Sequence, residues 1–284
     1  MSTSVAIECL DATEFAALVP KIFSAVSECS PVHESNNGRT RPSRTKIIHL
    51  TRQRAGEASV VSAISSILTR PLTSEDELDV ALTALREVVC ELPEDAMLRY
   101  RQALMALSAV DPDGSCSGPR LAGSSLAAQA RGAIRFMDQR EDAWAPGYRD
   151  DHMAQRSLRE RVHTAREMRP HVAGLLGWLR DTSWPLYTGC EAQLARFPEI
   201  TMTPIRVILK QHRGDGKWIN NLLRFVQDHV PVGRSWEAIY PAVNALLVIE
   251  PAGNEEACDT AGIAAGWIET LNRWRKSQEG LRCA

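Results

Sequence analysis

Leu175-Leu176-Gly177-Trp178-Leu179-Arg180-Asp181-Thr182-Ser183-Trp184-Pro185 is the stretch on which the fold of this chain turns. Leu175, Leu176, Trp178 and Leu179 recur at helical spacing, so one helical face is expected to seat in a core. Asp181 ends that helix, where a short acid hydrogen-bonds bared amides of the turn or caps the next helix. Trp184-Pro185 wedges the turn, and the fixed φ of Pro185 suits the opening of a following helix. The expected product is a short helical hairpin. Asp181 and Trp184 are also candidates to line a groove, because turns between stacked helices present binding residues.

The same punctuation continues towards the C-terminus. Helical runs fall near 171–180, 188–197, 203–212, 217–229, 235–249 and 255–276. Breaks come at Trp184-Pro185, Pro198, Gly214-Asp215-Gly216, Pro231-Val232-Gly233 and Pro251-Ala252-Gly253. Six of the chain's seven tryptophans lie at or after Trp178. Short helices of this kind cannot each bury a face alone and must stack on their neighbours, which is the logic of a HEAT-like array. Strand signals are sparse, with Lys46–Leu50 the one short piece of strand character. The expected fold is therefore all-α, with short antiparallel helical hairpins stacked in a HEAT-like array and a helical N-terminal half.

Residues from about 170 to 275 resemble the DUF5071 family, a domain of unknown function. The family shows a Leu-Leu-x-Trp-Leu-x-Asp-x-Asn-Trp-Pro run, which residues 175–185 follow except at Ser183, where the family usually has Asn. The likeness continues through Leu194-Ala195-Arg196-Phe197, Ile205, Ile208, Leu209, Lys210 and the helix containing Trp218. The Gly214-Asp215-Gly216 insertion is a second departure. The resemblance implies an all-helical, HEAT-like fold and carries no activity with it.

Upstream, Asp11 is placed to cap a helix whose Phe15, Leu18, Val19, Ile22 and Phe23 share a face. Residues 29 to 45 are loop by composition. Ser74 and Glu77 stand at capping-box spacing before Leu78, Leu82, Leu85, Val88, Val89 and Leu92. Pro93 then opens a second helix with Met97, Tyr100, Leu104 and Leu107 as its apolar stripe. Leu126, Ala130, Ile134 and Met137 mark another helix, and a charged one is expected from about 150 to 168, stopping at Pro170. The Gly-, Pro- and Ser-rich residues 111–124 divide an N-terminal segment, 1–110 with its basic loop at 29–45, from a C-terminal helical domain, 125–284.

With 284 residues, 44% apolar and 24% charged, the chain supplies a sizeable core. A net charge of −2 sets up no field towards nucleic acid or an acidic membrane. Seven dispersed cysteines without a Cys-x-x-Cys pair read as reduced thiols, not as a disulfide framework or a zinc site. Glu8, Asp11 and Glu14 argue against a leader peptide, and no run of about 18 apolar residues spans a bilayer. A soluble protein of the cytoplasm, or of the nucleus, is expected.

Candidate chemistry is thin. Glu160-x-x-His163-x-x-x-Glu167 places three side chains on one face of the expected helix. A Glu-x-x-His pair belongs to di-iron bundles only with a second pair on another helix, and there is none. Arg156, Arg159, Arg161 and Arg166 can instead pair with these acids at about 0.2–0.5 kcal/mol each. His152 stands about 16 Å from His163 along a helix, too far to share a metal. Gly114-Ser115-Cys116-Ser117-Gly118 has the outline of a nucleophile elbow but no strand before it. Gly214-Asp215-Gly216-Lys217 lacks phosphate-loop spacing and reads as a helix-ending turn. Arg39, Arg41, Arg44, Lys46, Arg52 and Arg54 form a basic cluster without interleaved aromatics, which disfavours nucleic acid.

No metal and no cofactor is expected from these motifs. The leading expectation is an adaptor or scaffold that receives a protein or peptide partner, with Trp184, Tyr187, Trp218 and Trp236 as groove aromatics. The alternative is an enzyme acting on a small molecule in a pocket between the two helical halves, with Asp150, Asp151, His152, His163 and Asp181 as acid/base candidates.

Overall fold

The computed structural model describes residues 10–27, 44–109, 120–247 and 255–282, and among them every regular element is helical. The chain forms two compact units, residues 1–141 and 142–284.

The first unit begins with α1 (Ala12–Ser27). Asp11 Oδ1 accepts from the amides of Thr13 and Glu14, each at 2.8 Å, while Glu14 Oε2 accepts from Asp11 N at 3.2 Å. The reciprocal bonds satisfy amides that a helix start leaves bare. Phe15, Val19 and Phe23 line the buried face. The stretch 46–50 is not a strand: it lies within α2 (Arg44–Arg54), where Ile48 and Thr51 bury at helical spacing and Thr51 Oγ1 donates to Ile47 O. Residues 44 and 45, expected as loop, open this helix, and the rest of the expected loop lies outside the described residues.

α3 (Ala58–Thr69) and α4 (Glu75–Thr83) follow. Ser74 Oγ accepts from Glu77 N as the capping pattern expects, but the Glu77 carboxylate turns outward to Thr73 N and Thr73 Oγ1, each at 2.7 Å. α4 widens into a π-turn at Ala84–Val88 and closes as a 3-10 turn at Val89–Glu91, just before Leu92-Pro93. The second helix starts with α5 (Glu94–Met97) and continues through a 3-10 turn into α6 (Arg101–Ser108), burying Met97, Tyr100, Leu104 and Leu107. The Tyr100 hydroxyl donates to Ala55 O at 2.6 Å.

α7 (Arg120–Asp138) packs along α6, so the helix expected to open the C-terminal domain sits in the first unit. Arg101 fastens it through Asp138, with bonds of 2.6 and 3.1 Å. The expected linker begins in residues outside the described ones, and its last residues are already helical.

In the second unit the chain runs through α8 (His152–Arg161), α9 (Ala165–Met168), α10 (Val172–Trp178), α11 (Tyr187–Ala195), α12 (Met202–Gln211), α13 (Gly216–His229), α14 (Arg234–Asn244) and α15 (Glu255–Arg282). Helices two apart in sequence pack together, α12 on α14 and α13 on α15, while α10 and α11 form a hairpin. This pattern fits a stack of short helices in two layers. One buried cluster runs from Leu158 to Leu271 and closes around Trp236 and Trp267, whose rings stack at 4.5 Å and 10°.

The charged helix expected over 150–168 is broken at Val162-His163, because Thr164 starts a new one. Thr164 Oγ1 accepts from Glu167 N, and Glu167 Oε2 accepts from the amides of His163 and Thr164 at 2.8 and 3.0 Å. Those two amides hold the Glu167 carboxyl below its ordinary range. Arg196 covers the preceding helix end, donating to Leu158 O and Val162 O.

Candidate functional site

The run 175–185 does not build the site alone. α10 is only seven residues long, and its last carbonyls are satisfied from α13. Trp218 Nε1 donates to Leu176 O at 3.0 Å, and the buried Asn221 amide donates to Leu179 O at 3.0 Å. At its other side, Trp178 Nε1 donates to Pro146 O at 2.9 Å. The loop after α10 is thereby fixed at both flanks. Asp181 Oδ1 accepts from Ser183 N at 2.9 Å and turns the chain, and Trp184 packs edge-on against Trp178 at 5.3 Å and 73°.

Facing this loop is the short connection from α12 to α13. Asp215 caps α13 by accepting from Trp218 N at 3.1 Å. Its other oxygen accepts from Arg180 Nε at 2.6 Å, while Lys217 Nζ reaches Asp181 Oδ1 at 2.8 Å. Each loop thus gives one acid and receives one cation. An open cleft of about 660 Å³ lies between them, lined by Arg180, Asp181, Trp184, His212, Gly214, Asp215 and Lys217.

The electrostatics follow from the pairing. Lys217 first, then the Ser183 amide, hold the Asp181 carboxyl down to about 2. It is ionised throughout the neutral range, so it has no proton to give there. The guanidinium of Arg180 lies 5.8 Å above the Trp218 ring, and the His212 ring tilts against the same indole at 5.1 Å. The side chains of Arg180 and Lys217 remain 60% and 51% exposed despite their pairs.

Of the acid/base candidates, Asp181 alone lines this cleft. Asp151 is 3% exposed and caps α8: it accepts from Ala154 N at 3.1 Å, Gly147 N at 3.2 Å and Trp144 Nε1 at 3.3 Å. Asp150 and His152 flank it in the same turn, and the carbonyl of Asp150 accepts from His152 N. His163 is exposed at the break after α8. Glu160, His163 and Glu167 do not share a helical face, since the break separates them; Glu160 pairs with Arg156 at 2.8 Å.

Trp184 is half-buried at the cleft; Trp218, also half-buried, does not line it but packs against His212 and Arg180, which do. Tyr187 is half-buried at the start of α11, where burial first and then Glu191 push its hydroxyl up. Trp236, expected in a groove, is 1% exposed and stacked on Trp267, with its Nε1 donating to Val230 O at 3.0 Å. Its place at a helix start is what suggested a surface role; the same place lets the indole tie off the carbonyl of the preceding loop.

In the basic cluster, Arg52 donates to Glu87 O and Arg54 forms a fork with Glu57, a bond to Leu10 O and a contact over the Phe15 ring at 4.6 Å. Those two arginines are occupied in the first unit. Arg39 and Arg41 lie outside the described residues, as does the segment around Cys116.

Sequence reasoning missed Arg180, His212, Asp215 and Lys217 as members of one cleft. Gly214 and Asp215 fall in the turn between α12 and α13, while Gly216 and Lys217 already open α13, and the charges of Asp215 and Lys217 pair across to residues 180 and 181. Asn221 carried a usable signal: a polar side chain among Ile219, Leu222, Leu223 and Phe225, all buried. Among the described residues no three His, Cys, Asp or Glu side chains are grouped to hold a metal ion, and no helix is long and apolar enough to cross a membrane.

The comparisons bear on the same segment. No curated protein matches the chain. The strap from Trp144 to Asp151 is bonded to α8 and α10. Residues 144–268 match the family model described as Domain of unknown function (DUF5071), so it is to this family, across most of its second unit, that the chain is similar.

Proposed function

We propose that the second unit is a docking module, an adaptor surface that receives a segment of another protein in the cleft between residues 180–184 and 212–217. The observation that carries this reading is the cleft itself. It is preformed, open, and combines a half-buried indole with charges already oriented by pairing. Stacked short helices offer extended concave faces of this kind. Fixed aromatic and arginine side chains are the residue types that anchor partners.

The enzyme alternative asks for a general acid and a general base that converge on a reacting atom. Asp181 is held ionised, Asp151 is spent as a cap, and His163 lies on a different turn. Docking uses the residues in the state in which they are found.

The test is selection of a random dodecapeptide display library on the full chain, repeated on Trp184→Ala. Peptides that bind the parent chain and lose at least tenfold in affinity on Trp184→Ala are the expected result. Selected peptides that bind both equally, or a library that yields none, would remove the cleft as a docking site.

A further inference from the structure

We infer that the segment received in this cleft carries a carboxylate, an Asp or Glu side chain beside an apolar one, with Arg180 reading the acid and Trp184 seating its neighbour. The inference rests on the docking reading above and adds the chemistry of the partner.

Arg180 is held on one side only. Its Nε is engaged by Asp215 at 2.6 Å and its guanidinium carbon lies 5.8 Å from the Trp218 ring centre, so the group is oriented before anything binds. Its two terminal amino groups have no hydrogen-bond partner among the described residues. A guanidinium presents donors in a planar fork, and the free edge matches the two oxygens of one carboxylate. Because the fork is already fixed, little side-chain freedom is lost when an acid docks on it. Lys217 makes one ion pair, to Asp181, and an ammonium has three donors, so it can meet the same acid from the opposite loop.

The charge balance selects the kind of anion. Arg180 and Lys217 are matched one for one by Asp181 and Asp215 along the cleft. A phosphate dianion would face the carboxyl groups of Asp181 and Asp215; a single carboxylate meets about half that repulsion while using the same fork. Beyond these pairs the loop adds one exposed cation, Arg213, far short of the run of cations that draws a nucleic-acid backbone. The cleft's open form favours a peptide over a free small acid. Small ligands are held where most of their surface is enclosed, whereas a peptide gathers contacts along its length.

The test takes the tightest peptide from the library selection and its version with Glu or Asp changed to Gln or Asn. Both are titrated against the full chain, Arg180→Lys and Lys217→Gln, with folding of each variant checked by thermal unfolding. Arg180→Lys keeps a cation beside Asp215 but removes the fork. The expected result is an acidic residue recurring at one place in the selected peptides, a roughly tenfold or greater loss on neutralising it, and a similar loss on Arg180→Lys. The two losses are expected not to add, because they remove the same contact. Neutral peptides that bind as well as acidic ones through Trp184 would overturn the carboxylate and leave the docking cleft standing. Absence of any Trp184-dependent peptide from the selection would take both. Displacement of the peptide by millimolar inorganic phosphate, with acetate ineffective, would overturn the inference in favour of a phosphate-bearing ligand.

Discussion

Asp181 shows how one residue serves turn, charge pairing and cleft together. Its carboxyl is held down to about 2 in the folded chain, below the ordinary carboxylate range, by Lys217 first and the Ser183 amide second. A depressed folded pKa adds stability that is fully present above the unfolded value and is lost as pH falls through the folded one. Asp181→Asn is therefore expected to unfold earlier in urea than the parent by a constant margin above about pH 4. That margin should shrink between about pH 4 and pH 2, where the parent's own carboxylate becomes protonated. A margin that persists unchanged at pH 2 would show that the ion pair with Lys217 is not its source.

Among elements, α8 is held at its start by a single side chain. Asp151 accepts from three N–H groups, those of Ala154, Gly147 and the Trp144 indole, in a nearly water-free setting. Asp151→Ala removes a cap worth about 1 kcal/mol and leaves buried donors without a partner at about 1–3 kcal/mol, so a loss of about 2–4 kcal/mol is expected. Asp151→Asn keeps an acceptor and should recover part of it; denaturant unfolding of both variants reads the difference. The helix pattern itself was legible. The runs expected at 188–197, 203–212 and 217–229 lie within two residues of α11, α12 and α13 at both ends, because Pro and Gly punctuate them and their apolar residues keep helical period. The break at 162–164 was not legible as such, since Thr164 and Glu167 form a capping box inside what reads as one continuous charged helix. The cleft was half legible: Asp181 and Trp184 are marked by their place in a turn, but nothing local says that Asp215 and Lys217 lie opposite them. Pairing across thirty-odd residues is a property of the stack, not of either segment.

At the scale of the whole chain, the second unit has its own core. The cluster from Leu158 to Leu271 is closed by Trp236 and Trp267, and the strap at 144–151 is bonded within the same unit. Residues 142–284 expressed alone are expected to unfold in one cooperative transition, measured by circular dichroism; a broad, non-cooperative melt would show that the unit needs the rest of the chain. All seven tryptophans of the chain, from Trp144 to Trp274, fall in this unit, while the first holds none. Light absorbed selectively by indole is therefore blind to residues 1–141, and emission from the intact protein tracks the second unit only. Trp184, half-buried beside the charges of Arg180 and Lys217, is placed to change colour or intensity when something settles on it. The molecule carries its own optical gauge, able to time the opening of one half, or the filling of its cleft, without a dye or a label.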